Sequence, residues 1–241
     1  MLLAIDAGNS FVKWAYHDGR TWLATQCAAL TPFCLDPAHY LQISPSYVVI
    51  ANVAGSRFET AFKAAFPDMR AQWVQAARAA CGVINHYECA ETLGADRWAA
   101  LIGARAITHE PCVVVSGGTA LTVDLLAQDG HFLGGAIAPG FHLMRDVLAT
   151  RTAALQPAAG RVTPWPVNTA DAVHTGLMYA VLGVIEKMAR VLEVHAQQPV
   201  TCMLTGGAAL QIVPYLNRPH QLVDNLVLEG LLLLAQKENQ P

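Results

Sequence analysis

Charge is scarce in this chain. Only 14% of its 241 residues are Asp, Glu, Lys or Arg, and the net charge is −3. No long Lys/Arg run is present, so the electrostatics of a nucleic-acid or anionic-membrane binder are missing. The six cysteines (Cys27, Cys34, Cys81, Cys89, Cys112, Cys202) form no CxxC pair, which excludes the usual zinc spacings and gives no disulfide framework. They read as reduced thiols serving as small core residues. The nine histidines fall into no HxxxH or HExxH pattern, so no transition-metal centre is expected. Long apolar runs are also absent. The LVLEGLLLLAQ stretch is broken by Glu229 and too short to span a bilayer. The start, MLLAIDAGNS, lacks a basic region and meets Asp6, so no signal peptide is read there and a cytoplasmic location is expected. Neither GxxxxGK[ST] nor a helix-opening GxGxxG occurs, which excludes P-loop and Rossmann phosphate sites. What remains is a chain 54% hydrophobic, ample for the core of one large or two ordinary domains.

Two segments resemble each other. Residues 2–19 (LLAIDAGNSFVKWAYHDG) and 112–130 (CVVVSGGTALTVDLLAQDG) each run from a short apolar strand through a glycine turn into an alternating strand. Each closes at an Asp-Gly turn, Asp18-Gly19 or Asp129-Gly130. A slide of 110 positions pairs Gly8 with Gly118, Asn9 with Thr119 and Ser10 with Ala120. That period is too long for a solenoid and fits a duplicated, two-lobed fold in which each lobe offers one hairpin. Glycine at such a turn lets backbone approach phosphate oxygens, and successive N–H groups form an anion-binding concavity. Asp6 is a candidate ligand for Mg²⁺, and Lys13 stands on the following strand where it can meet a phosphate. One such hairpin would read as an ordinary turn; two at matched positions point to phosphate. A third glycine site, Thr205-Gly206-Gly207 in CMLTGGAAL, joins a strand to a helix-like stretch and suits close approach to adenine or ribose.

Between the hairpins, the pattern from Glu91 onward is helical, with Leu93, Trp98, Leu101, Ile102 and Ile107 on one side. Asp96 and Arg97 stand near its start. Capping and a surface ion pair account for such residues in most helices, but transfer of a phosphoryl group to a hydroxyl needs a carboxylate to take the proton. A neighbouring Arg can grip an anionic acceptor. Gly134, Gly135, Pro139 and Gly140 read as a rigid, side-chain-poor wall before a helix. Residues 167–195 read as a long helix capped by Asn168 or Thr169.

These residues together resemble the type III pantothenate kinases, a branch of the acetate-kinase/sugar-kinase/Hsp70/actin superfamily. The resemblance runs through DAGNSFVK at 6–13, Tyr87, GADRW at 94–98, GGTALTVD at 117–124, GGAIAPG at 134–140, NTADAVHTG at 168–176, LTGG at 204–207 and NLVLEGL at 225–231. It implies an α/β fold of two duplicated actin-like (ribonuclease H-like) lobes, 1–110 and 111–241, with a nucleotide cleft between them and dimer helices in the second; packing of the last helix back on the first lobe is the alternative. It implies ATP-dependent phosphorylation of pantothenate, with Mg²⁺ and a monovalent cation (K⁺ or NH₄⁺), by a homodimer whose substrate site lies at the interface. Carried over by position, Asp6, Ala7, Gly8, Asn9, Ser10, Phe11, Val12 and Lys13 form the first phosphate loop, and Gly118 and Thr119 belong to the second. Gly206 and Gly207 face adenosine. Asp96 is the proton acceptor; Tyr87, Gly94, Ala95, Asp96 and Arg97 line the pantothenate pocket, joined by Thr169 of the other subunit. One position departs: the family's second phosphate motif reads Asp-x-Gly-Thr, its Asp linked to the monovalent cation, and here Ser116 stands in its place. A hydroxyl is a poorer cation ligand than a carboxylate, so a weakened or relocated cation site is expected.

Overall fold

The duplication extends well beyond the hairpins. The structure, a computed structural model, describes residues 1–23, 25–30, 45–152 and 159–238. It divides into two compact units, residues 1–107 with 225 onward, and residues 108–224. In the first unit, strands β1 (Leu2–Ala7), β2 (Phe11–His17), β3 (Gln26–Ala29), β4 (Tyr47–Asn52) and β5 (Ala71–Trp73) lie in the order β3-β2-β1-β4-β5. In the second, β8 (Cys112–Gly117), β9 (Ala120–Leu126), β10 (His131–Pro139), β11 (Thr201–Thr205) and β12 (His220–Leu222) lie in the order β10-β9-β8-β11-β12. In each, the first strand runs antiparallel to the second and parallel to the fourth. A further short hairpin, β6 (Ala79–Ala80) and β7 (Val83–Asn85), belongs to the first unit.

Strand alternation sorts the first sheet's side chains onto two unlike faces. Leu3, Ile5, Val12, Trp14, Val48 and Ile50 pack with Phe58 and Phe62 of helix α1 (Ser56–Ala65). The other face is small: Ala4, Ala15, Val49 and Ala51 pack with Ala95 and Ala99 of α2 (Ala95–Ile107) and with Leu228, Leu231 and Ala235 of α6 (Leu226–Glu238). Alanines on sheet and helix let α2 come close. The two helices also come close to each other, since a side chain at Gly230 would collide with the Ala99 carbonyl. Each fully buried Leu of α6 contributes roughly 1.5–3 kcal/mol, and Trp22 Nε1 donates to Glu229 at 2.8 Å. Residues 225–238 therefore group with the first unit, as the alternative placement of the last helix has it and a 111–241 boundary does not.

In the second unit one sheet face, built from Val113, Val115, Leu121, Val123, Leu125, Cys202 and Leu204, is covered by the long helix α4 (Thr169–Ala196) through Leu177, Met178, Val181, Ile185, Ala189 and Leu192. Asn168 caps α4, its side chain accepting from the Asp171 N–H at 2.9 Å. The segment read as a rigid wall is strand β10, irregular between Phe132 and Gly134, and it leads into α3 (Phe141–Arg151). A short α5 (Ala209–Ile212) follows β11.

Several expectations change. Ile107 is 42% exposed, because α2 ends there. Cys112 and Cys202 are core residues, whereas Cys27 and Cys89 are exposed; Cys34 lies outside the described residues. Among the described residues no helix is long and apolar enough to cross a membrane.

Candidate active site

Alternation places Asp6 and Lys13 on the sheet face that α2 covers, in register with one another across β1 and β2. Asp96 stands in the first turn of α2, whose Ala95 and Ala99 pack on that face. Two carboxylates thus share one end of one face. Desolvation, and then the charge of Asp96, push the Asp6 carboxyl up to about 7, with Lys13 pulling it back. Asp96 is also raised, by desolvation first, against the lowering pull of Arg97. Its Oδ1 accepts the Arg97 N–H at 2.8 Å. A side chain at Gly94 would stand 2.6 Å from that same oxygen, so glycine there keeps the carboxylate's place open.

Arg97 is no surface ion pair. It is 6% exposed; Nη1 donates to the Tyr87 hydroxyl at 2.8 Å, and the guanidinium lies 5.6 Å from the centre of the Tyr87 ring. The geometry brings Tyr87, Gly94, Ala95, Asp96 and Arg97 together at the start of α2, near the Asp6–Lys13 end of the sheet. The β1–β2 turn itself is closed by the Gly8 N–H donating to the Phe11 carbonyl at 3.0 Å. Ala7 and Val12 are buried, while Asn9 and Phe11 are exposed and Ser10 half-buried.

In the second unit the Gly118 N–H donates to the Ala120 carbonyl at 3.0 Å, and Gly140 N–H to the Thr119 carbonyl at 2.9 Å. The matching bond of the first turn reaches one residue further, to Phe11. The slide of 110 therefore holds for β1 and β8 and becomes 109 for β2 and β9, which replaces the Ser10–Ala120 match by Phe11–Ala120. Gly206, at φ +89°, presses against Gly117 backbone, a conformation and an approach that both demand glycine. Gly207 beside it is open and exposed. Thr169, at the first turn of α4, is exposed.

Ser116 has company that the sequence reading missed. Its strand partners are Thr122 on β9 and Thr205 on β11. All three lie opposite the face packed on α4, so three hydroxyl side chains stand side by side across adjacent strands, about 4.8 Å apart. Asp124, two residues beyond Thr122 on the same face, is 1% exposed. Only strand register, read residue by residue, would have found this row.

Residues 2–191 match the family model of type III pantothenate kinase. The type III pantothenate kinase of Nitrosospira multiformis is 40% identical over 243 residues, covering all of this chain and 93% of that protein. That of Aromatoleum aromaticum is 44% identical over 99% of both chains. Among solved structures, the activator of the 2-hydroxyisocaproyl-CoA dehydratase from Clostridium difficile, with bound ADPNP, matches at a TM-score of 0.55 and 13% identity over 100% of this chain and 98% of that one. That last likeness establishes the actin-like α/β fold. By its family match and its full-length relatives, the chain belongs to the type III pantothenate kinases.

Proposed function

We propose that the protein transfers the γ-phosphoryl group of ATP to the primary hydroxyl of pantothenate, giving 4′-phosphopantothenate and ADP at the entry to coenzyme A synthesis. The observation that carries this reading is the placement of Asp96 beside buried Arg97 on the sheet face that also holds Asp6 and Lys13. Desolvation makes Asp96 a stronger base than a free carboxylate. Arg97's N–H steadies Oδ1, leaving Oδ2 to take the hydroxyl proton as that oxygen bonds to phosphorus and the β–γ bridging oxygen departs with ADP. Arg97, held against Tyr87, is placed to meet the pantothenate carboxylate with its guanidinium.

Asp6 fits Mg²⁺. It is a carboxylate crowded by a second one and relieved only in part by Lys13, a balance that a bound cation would improve. Bound there, Mg²⁺ would neutralise charge on the phosphates during transfer. Backbone at Gly8–Ser10 and at Gly118–Thr119 would hold phosphate oxygens, Lys13 would contact one of them, and Gly206-Gly207 would lie against adenosine. The hydroxyls of Ser116, Thr122 and Thr205 are the candidate ligands for K⁺ or NH₄⁺ in place of the missing carboxylate. A homodimer through the second unit is supported by Ile137, Val147, Trp165, Val167 and Tyr179, which are 48–91% exposed; Thr169 would then serve the partner's site. We place the enzyme in the cytoplasm.

Asp96→Asn tests the mechanism. ADP release with MgATP and pantothenate should fall by about 10²-fold or more, with both substrates still binding at close to wild-type affinity. A rate close to wild type would remove Asp96 from the role of base.

A further inference from the structure

Tyr87 sits on a loop whose shape is set by one side chain the family resemblance did not single out. Arg78 enters the β6–β7 hairpin, turned at Cys81 and Gly82 with φ of 49° and 77°. Its Nη1 donates to the carbonyls of Asn85 at 2.8 Å and Tyr87 at 2.9 Å, and its Nη2 to that of Glu88 at 3.2 Å. Three carbonyls within four residues can converge on one cation only if the chain curls around it. Asn85, wholly buried, closes the same curl from the other side. Its Oδ1 accepts the Tyr87 N–H at 3.0 Å, its Nδ2 donates to the Ala90 carbonyl at 3.1 Å, and its own N–H donates to the Arg78 carbonyl at 2.9 Å. The curl ends at Ala90, where the short 3₁₀ turn Ala90–Thr92 leads into α2 and Asp96.

We propose that Arg78 is a positioning residue for the acceptor subsite: it holds the 85–88 curl, the curl aims Tyr87, and Tyr87 aims Arg97 at the acceptor's carboxylate. This rests on the function proposed above. Its logic is geometric. Guanidinium presents several N–H groups in a rigid plane and can serve three acceptors at once, whereas an ammonium on a flexible stem cannot hold the same fan. The guanidinium of Arg78 gives its hydrogen bonds to the 85–88 curl, so its loss should be felt on the acceptor side.

The experiment compares Arg78→Met and Arg78→Lys, each alone and in a Tyr87→Ala background, by steady-state kinetics and by hydrogen exchange of the substrate-free protein. Arg78→Met is expected to raise the KM for pantothenate about tenfold, with kcat and the KM for ATP within about twofold of wild type. Arg78→Lys should recover only part of the loss. In the Tyr87→Ala background Arg78→Met should add nothing, because the path through Tyr87 is already cut. Amides 86–89 should exchange about tenfold faster in Arg78→Met while those of α2 and β1 stay unchanged. Equal losses on both substrates, an undiminished effect without Tyr87, or unchanged exchange at 86–89 would each overturn the proposal. Wild-type protein inactive on pantothenate would overturn the proposed function, and the exchange result would still decide whether Arg78 orders the loop.

Discussion

The two hairpins have nearly the same backbone and differ in what they carry at matched places. The sixth position of the chain pairs across its hairpin with Lys13; its counterpart, Ser116, pairs with Thr122. One copy sets a carboxylate opposite a lysine with a second carboxylate nearby, the other a row of hydroxyls with buried Asp124 two residues farther along. The turn is one residue longer in the charged copy. The glycine turn and its N–H groups are what both copies retain, since phosphate asks only for backbone and space. At the matched places next to the turn, charge stands only in the first copy, on the face that α2 covers.

Replacing Asp6 should break this contrast most severely. Asp6→Asn is expected to lower kcat by about 10²–10³-fold in the ADP-release assay, as the cation ligand is lost. The same change should stabilise the fold. Asp6 has its carboxyl raised from 3.8 to about 7 in the folded state, so keeping it ionised costs stability above pH 7. That cost shrinks as pH falls from 7 to 4 and vanishes below. Asp6→Asn should therefore gain at most about 4 kcal/mol at pH 8 and nothing near pH 4, read by thermal or urea denaturation across that window. A gain independent of pH would show that Asp6 is not the strained group.

Lys13 comes next. Lys13→Met should lower kcat/KM for ATP by about 10–10²-fold and leave the KM for pantothenate within about twofold; equal losses on both substrates would place Lys13 elsewhere. The smallest effect is expected on the neutral hairpin. Ser116→Asp, which makes the second copy more like the first, should increase the ratio of activity in K⁺ to activity in Na⁺ on the order of a few-fold. No change in that ratio would remove this position from cation binding.

Much of this comparison was legible beforehand. Apolar runs broken by Gly and closed by Asp-Gly marked both hairpins, and α2 was visible from its 3.6-residue pattern, although it begins at Ala95 and not at Glu91, which lies in a separate 3₁₀ turn before it. The extra residue in the first turn was hidden, because an ungapped slide matches only one strand of each pair. The match of all five strands was hidden as well, since β3, β5 and β12 are three or four residues long and carry too little periodicity to be seen. Arg78 and Asn85 fall in and beside strands of two and three residues. Their roles depend on carbonyls, which leave no trace in side-chain composition. By resemblance Arg97 belongs to the acceptor pocket, but composition alone leaves a surface ion pair open, because nothing in the sequence reveals that Tyr87 lies across its guanidinium.

The return of α6 to the first unit sets the timing of assembly. As the chain leaves the ribosome, residues 108–224 emerge before the helix that completes the alanine face under Asp96. At roughly 5–20 residues per second this delay is on the order of ten seconds. The second unit can condense during that interval, while the unit bearing Asp6 and Asp96 waits for α6. Until residues 226–238 are available, the face beneath Asp96 lacks the packing of Leu228, Leu231 and Ala235.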